Sequence, residues 1–364
     1  MLNSALVAWL TQHADALHAG EASASHSLLQ QLGQADVFRQ GVPIAVGGLG
    51  NSIAHAIETI AELTEYSLTA AFVTWSQRTY IEYLLSAKSE QLAQFNFDGL
   101  LAGDYAGATG LSNAMKFLSG LEPLQVEAEA VQGGWRLSGK LPWVTNFQAN
   151  GFTVAVAADS AQGPLLFLVP SDRMGFNRLA DLDLIGLRGS STAAAILTDV
   201  FVTETDVLSV QAKRYLAAIR PVFLALQCGL SIGLIRRSIQ QIRAKKHAVL
   251  IKDQVEYIEQ RLAHNLHVLY HGLSTGEFVE QARQLFEIRI NLSDLTQQAI
   301  QLELCSTGGK CYLRHYEDGF SRRLQESAFI PIVTPSVLQL KTELSRQAIE
   351  DTQNEPNIIN RSTA

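Results

Sequence analysis

Cysteine, proline and charge are all scarce in this chain of 364 residues, which is 17% charged and holds 9 prolines. Three cysteines, Cys228, Cys305 and Cys311, are too few for a disulfide framework and form no CxxC pair. They read as small hydrophobes of a reducing compartment. No run reaches the roughly 18–20 uninterrupted apolar residues of a membrane span. The nearest, Val222 to Ile235, holds Gln227, Cys228 and Ser231, then meets Arg236-Arg237, and reads as a buried helix. Met1-Leu2-Asn3-Ser4 lacks the basic segment of a secretory signal, which predicts a cytoplasmic protein. An excess of basic residues is missing too: 28 Lys and Arg stand against 35 Asp and Glu, which argues against a nucleic-acid partner. The G-x-S-x-G elbow, the Walker loop and the GxGxxG fingerprint are likewise absent, excluding the hydrolases, NTPases and Rossmann enzymes that depend on them.

Apolar material is plentiful. At 47% hydrophobic and a net charge of -7, the chain can bury enough surface to order two or three domains. Its charge is uneven. The first 150 residues hold 13 acidic and 6 basic side chains, and the remainder is balanced, so side-chain cations for an anionic ligand must come mostly from the second half.

From Asn51 to about Ala87 apolar residues recur at helical spacing, with Ile53, Ile57, Ile60 and Leu63 on one face and Asn51 as the expected N-cap. The glycine-rich stretch Gly41 to Gly50 ahead of it reads as a loop. After Asp104 the texture changes. Short β-rich runs at Leu124–Ala130, Trp135–Ser138, Gly151–Ala157, Leu165–Val169 and Ala193–Val202 alternate with turn residues and predict an antiparallel sheet or small barrel. Helical patterning returns from about Val207 and continues to Glu350. The expected organisation is a helical domain over 1–103, a β domain over 104–208, a helical bundle over 209–350 and a polar tail over 351–364.

Four stretches then carry a family resemblance. Gly134-Trp135-Arg136-Leu137-Ser138-Gly139-Lys140-Leu141-Pro142-Trp143-Val144-Thr145-Asn146 is similar to the Gly-Lys-x-x-Trp-Ile/Val-Thr-Asn segment of the acyl-CoA dehydrogenases. Gly186-Leu187-Arg188-Gly189-Ser190-Ser191-Thr192 with Asp199-Val200-Phe201-Val202 resembles their Gly-Met-Arg-Gly-Ser turn and following strand. Gly41 to Gly50 resembles their N-terminal glycine loop, and Thr307-Gly308-Gly309-Lys310-Cys311-Tyr312 their Gly-Gly-x-Gly-aromatic turn, with Cys311 replacing the last glycine. The four occur in the family's order.

This resemblance implies an α+β fold with a helical N-terminal domain, a β-barrel-like antiparallel middle domain and a C-terminal four-helix bundle. It implies FAD as cofactor, with the ring between sheet and bundle, and a homodimer or homotetramer in which the FAD meets a neighbouring subunit. A ring that accepts hydride at N5 suits a hydroxyl donor and a flat apolar neighbour. Thr145 and Trp143 supply those two groups, and their i, i+2 spacing on a strand sends both to one face. Thr109 and Ser112, in Ala106-Gly107-Ala108-Thr109-Gly110-Leu111-Ser112, stand where the family's loop meets the flavin and pyrophosphate, although that loop's Glu-Pro pair is missing. Gly308 and Gly309 offer a close backbone approach to the phosphates, with Lys310 as a cation. The basic run Arg236, Arg237, Arg243, Lys245 and Lys246 reads as a solvated helix face, and the family's Arg-x-x-Phe-Gly element is not found.

The base is the departure. Removing a proton α to a thioester needs a positioned carboxylate. The family's Glu follows the Gly-Gly turn, where this chain has Ile332 or Val333, and the alternative site near Ile219-Arg220-Pro221 has no carboxylate either. The catalytic residue is therefore unassigned, with Glu326, Asp104, Glu317 and Asp318 as candidates. Three readings remain: oxidation of an acyl thioester, acyl-CoA included, or another small hydrophobic substrate; a flavin monooxygenase of the same fold; and a non-catalytic binding relative. His264, His267 and His271 share a helical spacing but lack further ligands, so no metal is expected.

Overall fold

The computed structural model describes residues 1–92, 94–246, 248–313 and 319–354. The helices of the first part are α1 (Ser4–Ala19), α2 (Ala22–Gln34), α3 (Ile53–Tyr66), α4 (Leu68–Leu85), α5 (Ser89–Leu92) and α6 (Phe97–Ala102). The expected single helix from Asn51 is two. At Ser67 the backbone turns extended, its N–H donates to the Leu63 carbonyl to close α3, and its hydroxyl accepts from the Ala70 N–H to open α4. Ser52, not Asn51, is the residue flanking the start of α3.

The middle part runs β1 (Ala106–Thr109), α7 (Ser112–Leu118), β2 (Val126–Val131), β3 (Gly134–Val144), β4 (Phe152–Ala158), β5 (Leu165–Pro170), β6 (Phe176–Asp181), β7 (Ala193–Val202) and β8 (Val207–Ser209). These strands form two four-stranded sheets, ordered β1-β4-β5-β8 and β2-β3-β7-β6. The pairing is antiparallel except between β1 and β4. That pair can be parallel because α7, β2 and β3 intervene and supply the long crossover a parallel neighbour requires. The sheets meet where β2 exchanges hydrogen bonds with Asp159 just past β4, Ala128 N to Asp159 O at 2.7 Å and Asp159 N to Val126 O at 2.9 Å. β4 and β5 are buried along nearly their whole length, as strands covered on both faces are.

The last part holds α8 (Ala212–Arg243), α9 (Lys252–Thr275), α10 (Ala282–Thr307), α11 (Phe320–Ser327) and α12 (Val337–Asn354). α8 is long and apolar enough to cross a membrane by length and composition, but its apolar stretch lies mostly buried in the protein. Two glycines explain how tightly it packs on α3. A Cβ on Gly233 would sit 2.1 Å from the Ala61 carbonyl oxygen, and one on Gly229 2.8 Å from that of Ile57. One apolar core runs through all three parts, from Leu10 and Ile60 through Val154 and Phe167 to Leu230 and Leu292. Its continuity sets the sheets firmly against the bundle, and the seam between them is where the main cavity opens.

Candidate functional site

A cavity of about 530 Å³ lies on that seam. Its sheet-side wall carries Thr109, Ser112, Trp143, Thr145 and Thr192; its helical side carries Phe72, Trp75, Phe223, Phe329 and Val333. Four residues singled out in the sequence, Thr109, Ser112, Trp143 and Thr145, therefore converge although three different elements supply them. Thr109 ends β1, Ser112 opens α7, and Trp143 and Thr145 flank the last residue of β3. Trp143 is 56% exposed at the cavity's edge, and Thr145 and Thr109 are buried.

The wall is held by neutral hydrogen bonds. The Thr109 hydroxyl lies 2.7 Å from the phenol of Tyr83 on α4. Burial pushes the Tyr83 phenol far above its ordinary value, so this partner stays uncharged. Thr145 Oγ1 lies 3.1 Å from Thr192 Oγ1, and Thr192 Oγ1 lies 2.7 Å from Ser190 Oγ, making a row of three hydroxyls. The turn after Thr145 is pinned in turn. Asn146, in the left-handed region at φ 59°, donates to the Gln77 side-chain oxygen at 2.8 Å and to the Gly107 carbonyl at 3.1 Å. Gly107 N–H donates to the same Gln77 oxygen at 2.7 Å, and Ser76 Oγ donates to the Thr145 carbonyl at 3.0 Å. Helix α4 thereby fixes β1 and the end of β3 together. A Cβ on Gly107 would lie 2.5 Å from Tyr80 Cγ, so only glycine lets that strand come so close to α4.

The opposite wall is aromatic. Phe72 and Trp75 stack in parallel with ring centroids 5.3 Å apart, and Phe223 and Phe329 meet them edge-on at 5.2 and 4.8 Å. Ile332 and Val333, at the position where the resemblance expects a carboxylate, both line this cavity. Neither can accept a proton.

The remaining candidates scatter. Gly308 and Gly309 form the turn after α10 and do not line the cavity; among the described residues a Cβ on either would meet nothing within 4 Å. Asp104 is exposed and away from the cavity. Glu326 lies on the wall, and Glu317, Asp318, His315 and His247 fall outside the described residues. The basic run on α8 is engaged locally. Arg236 pairs with Glu58 at 2.5 Å, Arg243 with Glu259 at 2.7 Å, and Arg237 donates to Gln240 at 2.8 Å. His267 and His271 stack at 6.5 Å, and no group of metal-ligating side chains occurs among the described residues. The helical wall went unread in the sequence. Its signals were the apolar density of Leu68–Leu85, a helix buried nearly all round, and the apolar run Val222 to Ile235 that holds Phe223.

No family model matches the chain. It is 25% identical over 243 residues to the mitochondrial isovaleryl-CoA dehydrogenase of Oryza sativa subsp. japonica, covering 60% of this chain and 58% of that protein. It is 30% identical over 203 residues to the oxygenase component of an FADH(2)-dependent resorcinol hydroxylase from Rhizobium sp. (strain MTP-10005), covering 51% of this chain and 42% of that one. The chain spans about half the length of the curated relatives it matches. Among solved structures, the acyl-CoA dehydrogenase of Bacillus anthracis complexed with FAD superposes with a TM-score of 0.80 at 17% identity, over 96% of this chain and 65% of that chain. The ordered motifs, the helical–sheet–helical architecture and these likenesses agree: the chain has the fold of the acyl-CoA dehydrogenases and is similar in sequence to members of that family.

Proposed function

We propose that this protein is an FAD-dependent oxidoreductase acting on an acyl thioester or a related small hydrophobic substrate in the seam cavity. The observation that carries this reading is the convergence of Thr109, Ser112, Trp143 and Thr145 on one wall of a cavity of about 530 Å³. The residues present fit a flavin ring. Neutral hydroxyls suit the heteroatom edge of a flat heterocycle, an indole stands at the margin, and the volume falls within the usual range for a bound cofactor or substrate. When bound, FAD would supply the acceptor for a hydride.

The chain's own residues do the rest. Thr145, backed by Thr192 and Ser190, presents a hydroxyl whose orientation the hydrogen-bonded row restricts. Phe72, Trp75, Phe223 and Phe329 exclude water and hold an apolar chain, so polar contacts on the facing wall act in a low dielectric. Gly308 and Gly309 line no part of this cavity and, among the described residues, a Cβ on either meets nothing within 4 Å, so they would meet a dinucleotide from outside it. That arrangement agrees with a homodimer or homotetramer in which one copy completes another's cofactor site. Size-exclusion chromatography with light scattering tests it.

The purified protein is expected to absorb at about 450 nm with a flavin spectrum and to bleach anaerobically with isovaleryl-CoA. A colourless protein that takes up no added FAD refutes the reading. A second reading, oxygenation with externally supplied reduced flavin, is favoured by one observation, the apolar Ile332 and Val333 at the customary base position, and accords with the resorcinol hydroxylase likeness. Oxygen consumption dependent on added reduced flavin, with no anaerobic bleaching by the thioester, selects it.

A further inference from the structure

Among the described residues the cavity wall carries two ionisable side chains, Lys116 and Glu326. Lys116 is paired with Glu122 at 2.7 Å. Glu326, in the last turn of α11, is 1% exposed and belongs to no such simple pair. Among the described residues no well-formed hydrogen bond reaches its Oε1, which stands 3.4 Å from His18 Nδ1. Its Oε2 lies 3.9 Å from Arg322 Nε, but Arg322 is turned toward Asp15 at 2.5 Å and the Tyr66 carbonyl at 3.0 Å. The charged groups facing Glu326 are thus His18 and Asp15 from α1 and Arg322 from its own helix. A carboxylate on a largely apolar wall with one oxygen unsatisfied is costly to maintain, which marks it as a candidate for chemistry rather than for stability.

His18 has the geometry to serve it. Its Nε2 lies 3.0 Å from Gln325 Oε1, which requires Nε2 to carry a hydrogen. Nδ1 and Glu326 Oε1 then need one proton between them. Gly186, which also lines the cavity, packs against the ring so closely that a Cβ there would stand 2.8 Å from His18 Cε1. The imidazole is 16% exposed, so it joins the buried carboxylate to solvent.

Resting on the oxidoreductase reading above, we infer that Glu326 is the proton acceptor of this cavity, with His18 as its positioning residue and proton outlet. Glu326 takes the proton α to the carbonyl of a bound acyl thioester. The Cα–H bond breaks, an O–H bond forms on Glu326, and the electron pair moves into the enolate, leaving the negative charge on the thioester oxygen. His18, with its hydrogen on Nε2 and its Nδ1 lone pair toward Glu326, accepts that proton on Nδ1, which restores the carboxylate, and the imidazolium so formed returns one proton to solvent. The acid customary elsewhere in the family is replaced by one from α11, beside the apolar Ile332 and Val333.

The test follows α-proton exchange, which needs no net oxidation. The full chain, with and without added FAD, is incubated anaerobically with isovaleryl-CoA in deuterium oxide, and deuterium at Cα is read by mass spectrometry. The wild-type protein is expected to exchange. Glu326→Gln is expected to exchange at least about 100-fold more slowly, with FAD and isovaleryl-CoA binding retained. His18→Gln is expected to keep measurable exchange but to lose the pH dependence that titration of His18 gives the wild type, because the amide cannot carry the proton outward. If Glu326→Gln fails to fold, Glu326→Asp, which withdraws the carboxylate by one methylene, is expected to lose at least about tenfold. Wild-type exchange rates in either Glu326 variant overturn the assignment, as does a wild-type protein that binds FAD and isovaleryl-CoA without exchanging. A protein that binds no FAD instead overturns the reading on which the assignment rests.

Discussion

The two walls of the seam cavity are built on opposite principles. The sheet wall is a row of neutral hydroxyls, Thr109, Thr145 and Thr192, each tied to another buried oxygen. The helical wall is aromatic, with Phe72, Trp75, Phe223 and Phe329 in contact, and holds one buried carboxylate, Glu326. One wall orients, and the other dries the space and carries the charge. In water both sets of contacts would be weak. Facing each other across the seam, the aromatic side lowers the dielectric in which the hydroxyl side acts.

The largest blow to this contrast is Phe223→Ala. Deleting a buried ring that meets Trp75 edge-on is expected to cost about 3–5 kcal/mol in denaturant unfolding. A loss below about 1 kcal/mol would mean that the aromatic wall does not pack as described. Next is Asn146→Ala, which strips Gln77 and Gly107 of a buried donor and is expected to cost about 1–3 kcal/mol. Flavin affinity should fall with it, because Thr145 loses its adjoining anchor. Thr145→Val, nearly isosteric, tests the sheet wall alone: flavin affinity by fluorescence titration is expected to drop by about 1 kcal/mol, with stability little changed. An unchanged affinity would remove the hydroxyl from the site.

Smaller effects sharpen the comparison. His18 is held above its ordinary value of 6.5: burial opposes the charged ring, and the Glu326 carboxylate more than offsets it. The pair therefore contributes stability that is fully present below pH 6.5 and is lost as pH rises through the raised folded value. Thermal unfolding across that window should show the dependence in the wild type and lose it in His18→Gln. The smallest expected change is Gly309→Ala. With open space around it, stability should stay within about 0.5 kcal/mol. Flavin affinity should also hold if the cavity alone binds the ring; a fall brings the turn back into the cofactor site of a neighbouring copy.

Much of this cavity wall was legible because strand and turn motifs keep the groups that line it near in sequence. Trp143 and Thr145 are two residues apart, and Thr109 and Ser112 three, so local pattern and family resemblance sufficed to single them out. That Ile332 and Val333 stand where the resemblance expects a carboxylate was equally plain. The residues that support those groups were not. Ser76, Gln77 and Tyr83 look like ordinary polar residues in an apolar helix, and only burial against β1 and the end of β3 gives them their partners. Gly308 and Gly309 carried a motif yet stand away from the cavity, since a turn that permits close approach does not determine what approaches it.

Local chemistry in the chain determined its elements: apolar spacing made the helices, β-branched runs the strands, and glycines the close crossings at Gly107 and Gly233. The separation into a helical part, a sheet part and a bundle follows from where those patterns change. Only the tertiary structure decided that His18 and Glu326 would meet, some three hundred residues apart, and that a wall of aromatic side chains would face a row of hydroxyls. Proton sharing and water exclusion depend on distances of a few ångströms, and in a folded chain such distances are set by packing between elements rather than by position along the sequence.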